Sequence, residues 1–195
     1  MPRVLVVNNY PTRERATRLQ ECIEGNGAAV TPAEWDDADA SKFNSFDAVV
    51  LSGSPDMMTE PKTQAKFEKE AMAIRGSEVP VLGICFGHQL MAHAFGATVV
   101  MDKQRVNGMV RTTVLKDDAL FEGLPSSMML LESRYEVVKS LPPGFSLLAR
   151  SATSAIAAMK HGCRPLYGVQ FHPERYTSRS PEGNVVVGNF LRLLR

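Results

Sequence analysis

The feature that most limits how this chain can fold is the alternation, through its first half, of short apolar runs with segments of helical period. "RVLVVN" (3–8), "DAVVLSG" (47–53) and "VPVLGIC" (79–85) are apolar over most of their length, as strands covered on both faces must be. "RERATRLQECIEGNG" (13–27), "KTQAKFEKEAMAIRG" (62–76) and "FGHQLMAHAFG" (86–96) follow them as helices. In the first of these Ala16, Leu19, Cys22 and Ile23 recur at spacings of three and four, which makes Cys22 a core residue, and Gly25 or Gly27 ends the pattern. Strand and helix in turn imply an open, mostly parallel sheet with helices on both faces. Past Gly96 the rhythm changes. "ATVV", "VRTTVLKDD", "MMLLES", "YEVVKSLPPG", "FSLLARS" and "SAIAAMKH" are β-rich and divided by turn residues, an antiparallel β excursion before the strand "PLYGVQF" (165–171). "EGNVVVGNFLRLL" closes the chain as a helix carrying Val186, Phe190 and Leu193 or Leu194 toward the core. With no repeat, linker or low-complexity tract, the α/β fold is expected as one domain over residues 1–195.

Composition removes several classes of function. The 195 residues carry a net charge of +1, with 44% hydrophobic and 22% charged residues, so disorder, a nucleic-acid surface and a polybasic membrane anchor are not expected. The N-terminal apolar run, Val4 to Val7, is too short for a signal peptide or a membrane span, which points to the cytoplasm. The cysteines Cys22, Cys85 and Cys163 are odd in number and far apart, the pattern of reduced thiols rather than a disulfide framework. Cys163 and His161 lack the further ligands a zinc site needs, and no metal is predicted. His88 and His93 read as packing or surface residues of their helix. Met57, Met58, Met128 and Met129 read as core or rim fillers, and Arg175 and Arg179 as a solvated loop or a face toward a partner.

The chemistry centres on "GICFG" (83–87). Cys85 follows an apolar strand at its C-terminal end, the edge where open α/β sheets bind ligands. Small residues on either side permit the sharp strand-to-helix turn that lifts a nucleophile out of a sheet, and the helix start favours a thiolate. Alone, the pattern fits a buried core cysteine equally well. A second stretch, "GVQFHPE" (168–174), decides between them. His172 and Glu174 are two apart, so in extended chain both point to one face and the carboxylate can fix the imidazole's tautomer. A thiol, a base and an orienter are the parts of a nucleophilic triad.

These residues resemble those of the class I glutamine amidotransferases, whose Cys-His-Glu domains release ammonia from glutamine. "LSGSPD", "GICFGHQLM" and "GVQFHPE" are similar to that family's S-G-G-P loop, nucleophile motif and His/Glu motif, and the likeness runs over nearly the whole chain. Within the family, "SLPPGFSLLARSATSAIAAMKHGCRPLYGVQFHPE" most resembles the glutaminase of the GMP synthetase subgroup, in its stand-alone archaeal form. The departures are "NNYPTRER" in the first loop, Arg134 and Glu136 in "SRYEVV" where histidine and aspartate are usual, and Ser54 for a glycine.

The resemblance implies a flavodoxin-like sheet and a glutaminase in which Cys85, His172 and Glu174 are catalytic. It implies an oxyanion hole from the backbone at Gly53, Ser54 and Phe86, and substrate contacts from Gln89 and from the backbone of Ser133, Arg134 and Tyr135. No phosphate-binding or pyrophosphatase loop is present in the sequence. The chain therefore needs no cofactor of its own. ATP and Mg are expected on a separate ATP-pyrophosphatase synthetase subunit that takes the ammonia, with XMP to GMP as the acceptor reaction. A stand-alone hydrolase of γ-glutamyl compounds, or a glutaminase serving another acceptor as in the anthranilate synthase type, stays open.

Overall fold

The computed structural model describes residues 1–194. Its strands are β1 Arg3–Asn8, β2 Ala29–Glu34, β3 Ala48–Leu51, β4 Val81–Ile84, β5 Val99–Val114, β6 Ser127–Val138, β7 Phe145–Ser151, β8 Ala158–His161 and β9 Leu166–Val169. The helices are α1 Thr17–Gly25, α2 Ala40–Phe43, α3 Pro61–Lys66, α4 Glu68–Gly76, α5 Phe86–Ala94 and α6 Glu182–Arg192. All nine strands form one sheet in the order β2-β1-β3-β4-β9-β8-β7-β5-β6. The run β2-β1-β3-β4-β9 is parallel throughout, and β8, β7, β5 and β6 extend it with antiparallel neighbours.

Alternation along the parallel strands explains the two layers of helix. On β1, Val4 and Val6 pack in one apolar cluster with Leu19 and Ile23 of α1 and Val186 and Phe190 of α6. Leu5 and Val7 face the other way, among Ala71 and Ile74 of α4 and Leu90 and Met91 of α5. Every one of these side chains is essentially inaccessible, which at about 1.5–3 kcal/mol per large apolar side chain fixes the register of the central strands.

The antiparallel half is built differently from what its turn residues suggest. Residues 99–100 of "ATVV" and 110–114 of "VRTTVLKDD" lie on one long strand, β5, whose register slips between Met101 and Val106. "MMLLES" and "YEVV" likewise join in β6. The Ser133–Arg134 junction continues the strand because neither residue interrupts the ladder. In the parallel half, "KTQAKFEKEAMAIRG" divides into α3 and α4 at Phe67, where φ is −99° and ψ 11°. β2, with Pro32 at its centre, occupies the sheet edge, where a missing N–H is tolerated.

Candidate active site

Cys85 is the residue between β4 and α5, and the only described non-glycine residue with positive φ, at 51° with ψ −98°. Such a conformation is unfavourable for an L residue, so surrounding structure must enforce it. Here the enforcement is steric. A Cβ on Gly83 would lie 2.5 Å from the carbonyl oxygen of Gly87, and one on Gly87 would lie 2.8 Å from Leu51. The two glycines thus let α5 press down on β3 and β4, and the chain reverses at the cysteine. The backbone N–H of Cys85 donates to Val169 O at 2.8 Å, tying the turn to β9.

His172 and Glu174 arrive from the end of β9, but not by strand alternation. Pro173–Arg175 is a 3-10 turn with the proline at its start, and His172 has φ −98° and ψ 89°. The extended-chain expectation for this pair is therefore corrected: the turn, rather than a pleat, folds the carboxylate back onto the ring. Nδ1 of His172 lies 2.8 Å from Oε1 of Glu174, and both side chains are buried. The imidazole and the Cys85 sulfur line the same cleft and interact electrostatically. Burial pushes the imidazole's pKa down, but the charges of Glu174 and Cys85 and the hydrogen bond to Glu174 outweigh it and hold it up at about 10. Burial would likewise raise Glu174, and the neighbouring imidazolium holds it below the usual carboxylate range instead. An imidazole held protonated by a neighbouring carboxylate is the state these shifts describe.

The turn is braced from outside. Arg18 of α1 donates from Nε to Glu174 O at 3.0 Å and from Nη2 to Tyr176 O at 2.7 Å. Gly183 of α6 sits so close that a Cβ there would be 2.3 Å from Pro173 O. The N–H of His172 donates to Leu131 O of β6 at 2.8 Å.

A cleft of about 190 Å³ opens over the sulfur, lined by Tyr10, Arg15, residues 54–57, Cys85, Gln89, Arg105, residues 133–136, His172 and Arg175. It contains Ser54, Gln89, Ser133, Arg134 and Tyr135 of the sequence-predicted set, together with Cys85 and His172. Gly53 and Phe86 lie just beneath it and are buried. Among the described residues the N–H groups of Gly53, Ser54 and Phe86 donate to no protein acceptor, as groups free to meet an oxyanion would. Gln89 is committed to the protein through its amide nitrogen, which donates to Glu136 O at 2.9 Å and Gln170 Oε1 at 3.3 Å. That leaves its carbonyl oxygen for a ligand. Ser133 O lies 3.7 Å from the Cys85 sulfur, and Tyr135 is half exposed at the cleft wall.

Arg134 and Glu136 are buried on β6, and their side chains hold the wall together. Arg134 donates from Nε to Glu132 at 2.8 Å, from Nη1 to Asp102 at 2.6 Å and from Nη2 to Thr153 O at 2.6 Å. Glu136 accepts from the N–H of Met58 at 2.7 Å and of Thr59 at 2.8 Å, bolting the loop after β3 to β6.

Tyr10 and Gln170 carry no signal in the three motifs that would assign them a role. Tyr10 follows β1 at the ligand-binding edge of the sheet, the positional cue that could have found it. Its hydroxyl lies 2.7 Å from where a Cβ on Gly53 would stand and receives Arg175 Nη2 at 3.4 Å. Asn9 beside it donates from its side-chain amide to Ser52 O and to Glu70, while its Oδ1 accepts from no described group and its N–H donates to Ser52 Oγ, so these bonds tie the loop after β1 to the loop after β3 and to α4. His88 is fully buried against Gly168, and Cys22 is buried beside Asn184. Arg179 and Cys163 are exposed. No group of three or more metal-ligating side chains occurs among the described residues, and no described helix is long and apolar enough to cross a membrane.

Residues 6–193 match the family model described as glutamine amidotransferase class-I. A glutamine-hydrolyzing GMP synthase subunit of Methanopyrus kandleri is 34% identical over 192 residues, covering 97% of each chain. The subunit of the same name from Thermococcus kodakarensis is 40% identical over 145 residues, 74% of each chain. Among solved structures, a Thermoplasma acidophilum protein provisionally described as a GMP synthase subunit superposes with TM-score 0.86 at 30% identity, covering 100% of this chain and 94% of the other. A glutamine amidotransferase from Thermotoga maritima shares the fold, with TM-score 0.74 at 20% identity over 90% of this chain and 77% of the other.

Proposed function

Because this chain belongs to the class I glutamine amidotransferase family, a family of glutamine-hydrolysing enzymes, we propose that it is the glutaminase subunit of a two-subunit GMP synthase. On this reading it hydrolyses L-glutamine at Cys85 and passes ammonia to a separate synthetase subunit that uses ATP and Mg to convert XMP to GMP. The observation that carries the chemistry is that Cys85, at a turn held in positive φ, lines one cleft with an imidazole braced by a carboxylate 2.8 Å away. The name shared by the similar proteins supports the choice of acceptor.

The thiolate of Cys85 attacks the side-chain carboxamide carbon of glutamine. The carbonyl oxygen becomes an oxyanion facing the N–H groups of Phe86 and of Gly53 or Ser54, where the loss of one donor typically raises the barrier by about 3 kcal/mol. His172 gives its proton to the departing nitrogen, the C–N bond breaks, and ammonia leaves a γ-glutamyl thioester. The imidazole then takes a proton from water, hydroxide adds to the thioester, and glutamate departs as the thiolate re-forms. Glu174 keeps the ring in one tautomer through both steps. The backbone of Ser133 to Tyr135 and the carbonyl of Gln89 hold the amino-acid end of the substrate.

The test is glutaminase activity of the purified chain by itself, then with an ATP-pyrophosphatase synthetase subunit, ATP and XMP. Stimulation with GMP formation supports the reading. Full activity on γ-glutamyl peptides with no response to the synthetase would replace it with a stand-alone hydrolase.

A further inference from the structure

Gln170 directly follows β9, is wholly buried, and is fixed at its backbone by an N–H bond to Ala157 O at 2.8 Å. Its side-chain amide lies between two partners. Oε1 faces Gln89 Nε2 at 3.3 Å, and Nε2 faces the Cys85 sulfur at 3.7 Å. A glutamine amide could in principle sit either way round, since its two ends have the same shape. Here the neighbours settle it. The carbonyl of Glu136 can only accept, so Gln89 must turn its NH2 toward it at 2.9 Å. The same NH2 then donates its second hydrogen, so Gln170 must present oxygen to Gln89. Its own NH2 is left pointing at the sulfur. A relay of one-way groups, from the β6 backbone through two amides, thus delivers a donor to the nucleophile.

Resting on the glutaminase reading above, we propose that Gln170 is a catalytic residue whose amide N–H donates to the sulfur of Cys85 and stabilises the attacking thiolate over the thiol. The sulfur's other polar neighbour from β6, Ser133 O at 3.7 Å, is an acceptor and serves only the protonated form. Gln170 adds a neutral donor that favours the anion whatever the protonation of His172. The other charged or titratable groups around the sulfur are His172 with Glu174 behind it, Tyr10 and Arg175, Arg134 and Glu136, and, further along the cleft lining, Arg15, Asp56, Arg105 and Tyr135. All of them remain in the variants below.

The experiment is alkylation of Cys85 by iodoacetamide, followed by peptide mass spectrometry, in a Cys163→Ser background that removes the exposed thiol. Gln170→Met keeps the length and removes the donor. At neutral pH it should slow alkylation about tenfold, the scale of one lost hydrogen bond, and the deficit should close as the pH is raised and the thiolate forms unaided. An unchanged rate, or a deficit of the same size at every pH, would overturn the proposal, because either result means the amide only packs. Should Gln170→Met fail to fold, Gln89→Met leaves Gln170 in place without its orienting neighbour. It should slow alkylation about threefold with the same pH behaviour, and no slowing there would equally overturn the relay. Alkylation requires no turnover. Failure of the glutaminase reading is seen separately, in undiminished ammonia release by Cys85→Ser.

Discussion

The two sides of the cleft are held by different forces. On the parallel side, Cys85 is positioned by close approach of backbone: two glycines with no room for a methyl group force the turn, and apolar strands beneath fix the height of the sulfur. On the antiparallel side, alternation along β6 turns Glu132, Arg134 and Glu136 inward, where ion pairs and charge-assisted hydrogen bonds hold the wall. The nucleophile needs a rigid angle, which packing supplies without introducing charge near the sulfur. The facing wall must orient polar groups toward a polar substrate, and buried charges with fixed partners do that at a desolvation cost.

If the far wall is electrostatic, its largest vulnerability is an orphaned charge. Arg134→Met should destabilise the protein by about 3–5 kcal/mol in denaturant titration, because Glu132, fully buried, loses its ion-pair partner and keeps only the hydroxyl of Thr153. Adding Glu132→Gln should recover part of that loss. An equal loss in the double variant would mean that shape rather than charge governs this wall. The parallel side should answer differently. Gly87→Ala drives a methyl group against Leu51 and should cost about 1–3 kcal/mol in stability, with turnover falling about a hundredfold as the elbow shifts. A variant with normal turnover would show that the steric account of the turn is wrong.

Glu136→Gln sharpens the contrast at the point where the halves are joined. One of its two acceptor oxygens becomes an NH2 group and cannot serve both Met58 N and Thr59 N, so the loop carrying Ser54 loosens. The expected stability loss is about 1.5–3 kcal/mol, and KM should rise more than kcat falls. A further effect, read through pH, concerns Glu70 on α4, whose burial raises its pKa to about 8 against a hydrogen bond from Asn9 that lowers it. The folded state thus keeps a proton that the unfolded chain releases near its ordinary value of 4.5. This contribution to stability is complete below that value and is lost as the pH rises toward 8. Glu70→Gln mimics the protonated form, so its melting temperature should fall less than the parent's between pH 5 and pH 8.

How far the sequence could be read follows the same divide. Strands β1, β3, β4 and β9 are continuous apolar runs, and Cys85 and His172 both stand beyond the ends of such runs, so the parallel half and its motifs were legible. The antiparallel half was not divided correctly, because Ser133 and Arg134 look like a turn until one sees that β6 pairs straight through them. The charged positions on that strand read as departures from a pattern, and their clamping roles depend on Asp102, Thr153 and the loop at 58–59, all remote in the chain. Gln170 lies inside the His/Glu motif without a visible role there, since its partner Gln89 is 81 positions away.

The central claim is that the sulfur at position 85 becomes covalently acylated during glutamine turnover. Rapid acid quench of the purified chain mixed with L-glutamine, followed by intact-mass and peptide analysis, measures this directly. The account predicts a γ-glutamyl adduct confined to the peptide containing Cys85, absent from Cys85→Ser together with ammonia release. Ammonia released at an undiminished rate by Cys85→Ser, with no adduct at that residue in the parent, would contradict it.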